Sequence, residues 1–551
     1  MGKKKKAGTS LKTPAPVTQQ EVAPSLELSH KPTFSSYAAV SVLLIIIIFG
    51  LFLRYRAANH EYISQWDEAY HALVAKNLMA HPLLPTLYDN PVRSYDYKDY
   101  GSNHIWLHKP PLTLWLMSGA MAIGGKKEVV FRLPSVVLGT LAIFLTFLIG
   151  KELFGTMAGY IAALLHALNP LVIRLVSGTV PTDHTEVVVA LFVEATFLVL
   201  IIAARRRSLQ FSVLAGVLLG CGLLSKSLPA ATALAAAPFF WRGKDHLADF
   251  IKPLALVLLT AVAIALPWQL YTSHNWPAEF AWEGQQVFRH LSQPLEGHSG
   301  DWDWYIKLIP THYGGQPEKI WAQVAAYAVV IFSILYSLYR CIRERQTNLL
   351  AVLLWALVPY VVFSVAATKL MGYLALAIPA VLLLIGYTAA TVISNLKNSF
   401  SEKGAFAPAT VVNAVLAVIA LVYLLPLAGD RLTADYSIAP WNAIYDYPIF
   451  REEMMKIRDA EGQKIIFGVG DYKMIQAMYY TGSPAYADVP SPEEIEGFIK
   501  KGYRPHIILD ALRRNLEEVK TIAQNPDLVK KITFISVPIP QRQIEKSPFQ
   551  N

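Results

Sequence analysis

The chain has 551 residues, of which 54% are hydrophobic and only 16% charged, against ~25% charged in an ordinary soluble domain. With a mean hydropathy of +0.35, this excludes a single soluble globular domain. The net charge of +9 does not point to nucleic acid, because the basic residues cluster between apolar runs as cytoplasmic loops do. Cys221 and Cys341 are the only cysteines and lie in or beside apolar runs, so neither a disulfide framework nor a cysteine-based zinc site is supported.

Residues 1–36, with Lys3, Lys4, Lys5 and Lys6 followed by a Pro/Thr/Ser-rich stretch, read as a disordered cytoplasmic tail. The apolar run from Tyr37 to Leu53 continues without a small-residue cleavage site and reads as an uncleaved first span. Ten more spans are expected, near 133–150, 156–173, 185–203, 209–225, 228–241, 252–272, 320–339, 348–366, 371–393 and 408–428. Each approaches the length needed to cross ~30 Å of hydrocarbon at ~1.5 Å per residue. With the N-terminus inside, the inner loops hold Lys151, then Arg205, Arg206 and Arg207, then Arg242 and Lys244, then Arg340, Arg343 and Arg345, then Lys397 and Lys403. Every second loop is basic, so one orientation satisfies the whole chain. Leu112–Gly124 is apolar but short, and counting it as a span would put the triple arginine outside; it is expected to be interfacial or re-entrant.

Loops 54–132, 174–184 and 273–319, and the turns around Lys226 and Lys369, then face outward. So does the tail from 429 to 551, where the β-rich runs Lys464–Val469 and His506–Leu509 flank the helix-start pattern Ser491-Pro492-Glu493-Glu494. The fold expected is an all-α polytopic membrane domain over 37–428 carrying a small C-terminal α/β extracytoplasmic domain over 429–551.

Ionisable residues collect on the outer side. The first loop carries Asp67 and Glu68, at the head of a helix whose Ala69, Leu73, Ala75 and Leu78 predict an amphipathic segment lying on the membrane. Further along it comes His108-Lys109-Pro110-Pro111, where paired prolines fix the backbone and a rigidly held lysine suits a phosphate. Asp183 follows the third span, Lys226 lies between two apolar runs, and Lys369 and Tyr373 share a later turn. Charged groups at that depth are costly unless they face a polar cavity or a partner. Carboxylates beside a cationic cluster suit activation of a hydroxyl and stabilisation of an anionic leaving group. Membrane carboxylates and lysines also serve transporters and lipid flippases, which is the alternative reading. No internal pseudo-symmetry favours that alternative.

Together these elements resemble the GT-C glycosyltransferases, in particular the bacterial branch related to protein O-mannosyltransferases and to the aminoarabinose transferase that modifies lipid A. The elements are Asp67-Glu68, Lys109-Pro110-Pro111-Leu112, Arg132-Leu133-Pro134-Ser135, Thr182-Asp183, Lys226 ahead of Pro229, and Lys369 with Tyr373 and Pro379. The lipid A enzymes usually carry Glu before Lys-Pro-Pro, where this chain has His108. The resemblance implies 11–13 transmembrane helices and transfer of a sugar, with inversion, from a polyprenyl-phosphate donor to a lipid, glycan or protein acceptor. Asp67 is then the general base, with Glu68 and Asp183 as further acidic candidates. Lys109, Lys226, Arg289, Lys369 and Tyr373 would meet the donor phosphate. No cofactor is named by this reading; a divalent metal stays open, with His108 and His298 as its candidate ligands. The expected setting is the plasma membrane, among membrane lipids, with no nucleic acid partner.

Overall fold

The computed structural model describes residues 34–537, except 65, 100, 102, 315–319, 403–410, 412–414, 416–426, 428, 436–446, 471 and 510–514. The expected tail over 1–36, apart from its last three residues, and most of the expected span 408–428 lie outside the described residues. The chain divides into two units, 1–42, described only where its first helix begins, and 43–551, which holds all the rest.

The helices run α1 (Phe34–Ala58), α2 (Asp67–Leu78), α3 (Pro111–Gly124), α4 (Glu128–Phe154), α5 (Thr156–Ala167), α6 (Pro170–Val176), α7 (Asp183–Arg206), α8 (Leu209–Lys226), α9 (Leu247–Asn275), α10 (Pro277–Ser292), α11 (Trp304–Lys307), α12 (Ile309–Tyr313), α13 (Ile320–Glu344), α14 (Thr347–Val365) and α15 (Ile378–Glu402). Among the described residues, eight helices are long and apolar enough to cross a bilayer: α1, α4, α7, α8, α9, α13, α14 and α15. The chain is therefore a multi-pass membrane protein. With 14 residues, α3 is too short to be one of them.

Two expected spans take unexpected forms. The stretch 156–173 is broken, with α5 and α6 meeting at 49°. Pro170 disfavours helical backbone at Asn169, and the Asn169 side chain caps α6 by accepting the Val172 amide at 3.0 Å. The carbonyls freed at the break find buried donors. Arg54 donates to His166 and Ala167, at 3.0 and 3.2 Å, and Arg431 donates to Leu168 at 3.1 Å. The stretch 228–241 is a 3₁₀ segment, Leu228–Phe240. Just before it, Lys226 is bonded to Glu186 near the head of α7. Just after it, Arg242 donates to Ala204 at the basic end of α7. Thirteen residues travel this depth because a 3₁₀ helix rises ~2.0 Å per residue, about 26 Å in all.

The tail holds α16 (Tyr447–Asp459), β1 (Gln463–Phe467), α17 (Lys473–Thr481), α18 (Pro492–Lys500), β2 (Tyr503–Leu509), α19 (Leu516–Ala523), α20 (Pro526–Val529) and β3 (Thr533–Ser536). The strands form one parallel sheet in the order β1-β2-β3, so an α/β tail is present. β1 and β2 match the expected runs, and Ser491 caps α18 through the Glu494 amide at 3.3 Å. β3 was not expected.

The expectation that α2 lies on the membrane is corrected. Ten of its residues are buried, because the tail covers the side that would otherwise meet water. One apolar core joins Leu73, Val74 and Leu78 of α2 to Leu114 and Met117 of α3 and to Ile475, Met478 and Tyr479 of α17. Polar contacts fix the register: Ile63 donates to the Tyr480 hydroxyl and accepts from Gln476, while Lys76 donates to the Met478 and Tyr479 carbonyls. Arg93 bridges Asp488 and Glu494 at 2.8 and 3.0 Å. The first loop and the tail are thus one packed body.

Candidate active site

The site forms where the heads of α2 and α7 meet the foot of α8. The half-buried Asp67 carboxylate accepts the Thr182 amide at 2.7 Å. Thr182 presents that amide from left-handed backbone, φ 70°, where a non-glycine residue is uncommon and strain gathers at functional sites. Burial raises the Asp67 pKa, but Lys109, His71, the Thr182 amide and His108 outweigh it and hold the carboxyl below its usual range.

Glu68 is brought to the same place but is fully occupied. It takes Arg132 at 2.6 and 3.0 Å, the Ser64 amide at 2.6 Å and His184 at 3.3 Å. Burial raises its pKa too, and Arg132 and His184 outweigh this. Arg132 also donates to the carbonyls of Ala58, His60 and Tyr62, so the pair knots the segment leading into α2 against α4. Gly178, at φ 75°, passes so close to the Glu68 carboxylate that a Cβ there would collide with it.

Asp183 is wholly buried and holds His71, Nδ1 to Oδ1, at 2.8 Å. His71 lies one turn from Asp67 on α2. Lys226 pairs with Glu186 and sits 4.6 Å above the Tyr373 ring. The Lys109 ammonium has no hydrogen bond or ion pair among the described residues, yet acts electrostatically on Asp67, Lys226 and His290. Four buried atoms here, His71 Nε2, Asp183 Oδ2, Glu186 Oε2 and Thr182 Oγ1, lack a hydrogen-bond partner among the described residues.

Two residues expected at the donor phosphate make their hydrogen bonds elsewhere. The Lys369 ammonium donates to the carbonyls of Phe363, Ser364 and Ala366 at 3.0, 2.6 and 2.5 Å. Its three protons are spent on capping the end of α14, and burial lowers its pKa. Lys369 lines a separate groove with Trp302, Ile306, Tyr360 and Val365. Arg289 on α10 donates to Gln286 of its own helix. Its neighbour His290 is the residue within electrostatic reach of the site: burial, aided by His108, Lys109 and Lys226, pulls its pKa down to about 4. His108 is held by Glu283 at 3.2 Å, and His298 contributes its carbonyl to the Lys369 amide. Neither belongs to a group of three metal-ligating side chains among the described residues. Glu186 and His290 escaped the sequence reading; Glu186 follows Asp183 by one helical turn, a spacing that could have found it.

Residues 108–271 match the family model described as dolichyl-phosphate-mannose-protein mannosyltransferase. The chain is 24% identical over 337 residues to undecaprenyl phosphate-alpha-4-amino-4-deoxy-L-arabinose arabinosyl transferase 1 of Pseudomonas fluorescens, covering 59% of this chain and 55% of that protein. It is 25% identical over 359 residues to the corresponding Pseudomonas aeruginosa transferase, covering 62% and 58%. The chain thus spans little more than half the length of the curated relatives it matches. Its fold is similar to ArnT from Cupriavidus metallidurans bound to undecaprenyl phosphate, with a TM-score of 0.57 at 15% identity over 90% of each chain. It is also similar to the Archaeoglobus fulgidus oligosaccharyltransferase, with a TM-score of 0.50 at 15% identity over 84% of this chain and 66% of that one.

Proposed function

From a chain of GT-C glycosyltransferase architecture, we propose an enzyme that moves a sugar from a polyprenyl-phosphate donor to a lipid, glycan or protein acceptor. The observation that carries this reading is the half-buried Asp67 carboxylate within electrostatic reach of the Lys109 ammonium, which is unpaired among the described residues. Nothing among the relatives supports the transporter alternative. The basic loops at the opposite end of the bundle argue for a cytoplasmic N-terminus and a site and tail on the extracytoplasmic face of the plasma membrane.

In this reading the donor phosphate meets Lys109, Lys226 and Tyr373, and the isoprenoid lies against the spans. The charges act mainly on the phosphate that develops as the glycosidic bond breaks, so they favour the transition state over bound donor. Asp67 takes the proton of the acceptor hydroxyl as its oxygen attacks the anomeric carbon. A carboxyl held so low is a weak base. The incoming phosphate offsets the cations that depress it, so donor binding raises the basicity of Asp67 when base is needed. Asp183 holds His71, Glu186 holds Lys226, and Glu68 with Arg132 holds the head of α2; all three carboxylates act as positioning residues.

The test is sugar transfer by the purified chain in detergent, with an undecaprenyl-phosphate aminosugar as donor and membrane lipid or glycan extract as acceptor. Turnover without any ion gradient supports the reading. A chain that retains undecaprenyl phosphate but cleaves no donor in the presence of any acceptor fraction refutes it.

A further inference from the structure

Trp66, the residue before Asp67, is 41% exposed. Its centroid lies 4.7 Å from the ring of Tyr472, the planes tilted by 44°. Tyr472 comes from the far end of the chain, in the loop after β1. That is the carboxyl edge of a parallel sheet, the edge at which such sheets bind ligands. The pair is held firmly, because α2 and α17 share a core and the hydrogen bonds of Ile63 and Lys76. Both residues adopt positive φ, 71° and 57°. The Trp66 combination, φ 71° with ψ −130°, is glycine-like backbone that costs ~1–3 kcal/mol for other residues. A large aromatic is nevertheless kept there, and kept exposed, beside the proposed base.

We infer that Trp66 and Tyr472 form a platform on which a sugar ring of the acceptor lies, bringing one of its hydroxyls to Asp67. The inference rests on the glycosyltransferase reading above and narrows it to an acceptor that is a glycan. The C–H face of a pyranose is apolar and its rim polar, matching an aromatic face whose surroundings supply hydrogen bonds. Asp99 and Glu296 act electrostatically on Tyr472, which disfavours a phosphate at this end of the site and suits a neutral or amino-bearing sugar. Charge divides the site: the donor phosphate belongs with Lys109 and Lys226, and the acceptor ring with the aromatics. The tail therefore contributes a binding residue as well as packing.

The experiment uses the full chain in detergent with four probes: chitobiose, its de-acetylated diamine, glycerol 1-phosphate and undecaprenyl phosphate. Saturation-transfer NMR should detect both disaccharides and not glycerol 1-phosphate. Tyr472→Ala and Trp66→Gly should each weaken disaccharide binding about tenfold or more and leave undecaprenyl phosphate binding unchanged. Trp66→Gly also relieves the backbone, so its melting temperature should hold or rise while disaccharide binding falls, a divergence that a merely structural tryptophan would not produce. Disaccharide binding within twofold of the parent in both variants overturns the platform. So does a parent chain that prefers glycerol 1-phosphate, or one that binds undecaprenyl phosphate and neither disaccharide. A parent chain that fails to bind undecaprenyl phosphate instead strikes the underlying function.

Discussion

Replacing Asp67 by asparagine changes a charge and almost no volume, and the two roles open to the residue respond with opposite signs. The side-chain amide oxygen of the variant can still accept the Thr182 amide, now held at 2.7 Å, so the head of α2 should remain in place. A general base would be gone, lowering turnover by roughly 10²–10⁴. The anion would also be gone from within reach of Lys109, leaving that ammonium freer for the donor phosphate. With base and phosphate on opposite sides of the reacting carbon, about 8 Å apart, Coulomb energy at an effective dielectric of ~20 is about 2 kcal/mol. Asp67 is only half-buried, and solvent screening cuts this to about 1 kcal/mol, or roughly fivefold tighter donor binding. The assay pairs single-turnover transfer with undecaprenyl phosphate titration. Turnover within tenfold of the parent removes Asp67 as base. Weaker donor binding shows that Asp67 contacts the donor itself, contrary to the charge argument.

Lys109→Ala should weaken undecaprenyl phosphate binding roughly 10–100-fold, as loss of a charge-assisted bond does. Lys369→Met should leave that affinity within threefold and lower the melting temperature, because three carbonyls lose their donor; the reverse pattern would return Lys369 to the phosphate site. Glu68→Ala leaves the buried Arg132 charge without its carboxylate, with only backbone carbonyls to hold it, at a cost of roughly 3–5 kcal/mol. Its detergent melting temperature should drop sharply, and a variant that melts like the parent yet transfers no sugar would put Glu68 in the chemistry. His290 has a folded pKa of about 4 against ~6.5 unfolded. Between those values the unfolded chain binds the proton and the folded chain does not, so this contribution to stability is complete above pH 6.5 and is lost as pH falls toward 4. His290→Gln should therefore melt with a shallower pH dependence between pH 4 and 6.5 than the parent; identical slopes would remove His290 from the cationic cluster. Bound donor phosphate should raise the His290 value, so binding near pH 5 should take up protons, measurable from the buffer dependence of its heat.

The membrane character and the alternation of basic loops were legible in the sequence because apolar length and the placement of arginines are linear properties. Lys109 before its prolines and Asp67 at a helix head were legible for the same reason, since each depends only on its neighbours in the chain. Whether a charge is free is a different kind of fact. Lys369 and Lys109 look alike as lysines at the edge of apolar runs; only the folded chain shows one ammonium spent on three carbonyls and the other unpaired among the described residues. Glu68 and Asp67 are adjacent and chemically matched, yet Arg132, 64 residues away, claims one of them. The burial of α2 by the tail, and the meeting of Trp66 with Tyr472, join segments some 400 residues apart. A periodic pattern records which face of a helix is apolar, but what covers that face is set by long-range packing, and so the acceptor side proposed for this site could be read only from the tertiary structure.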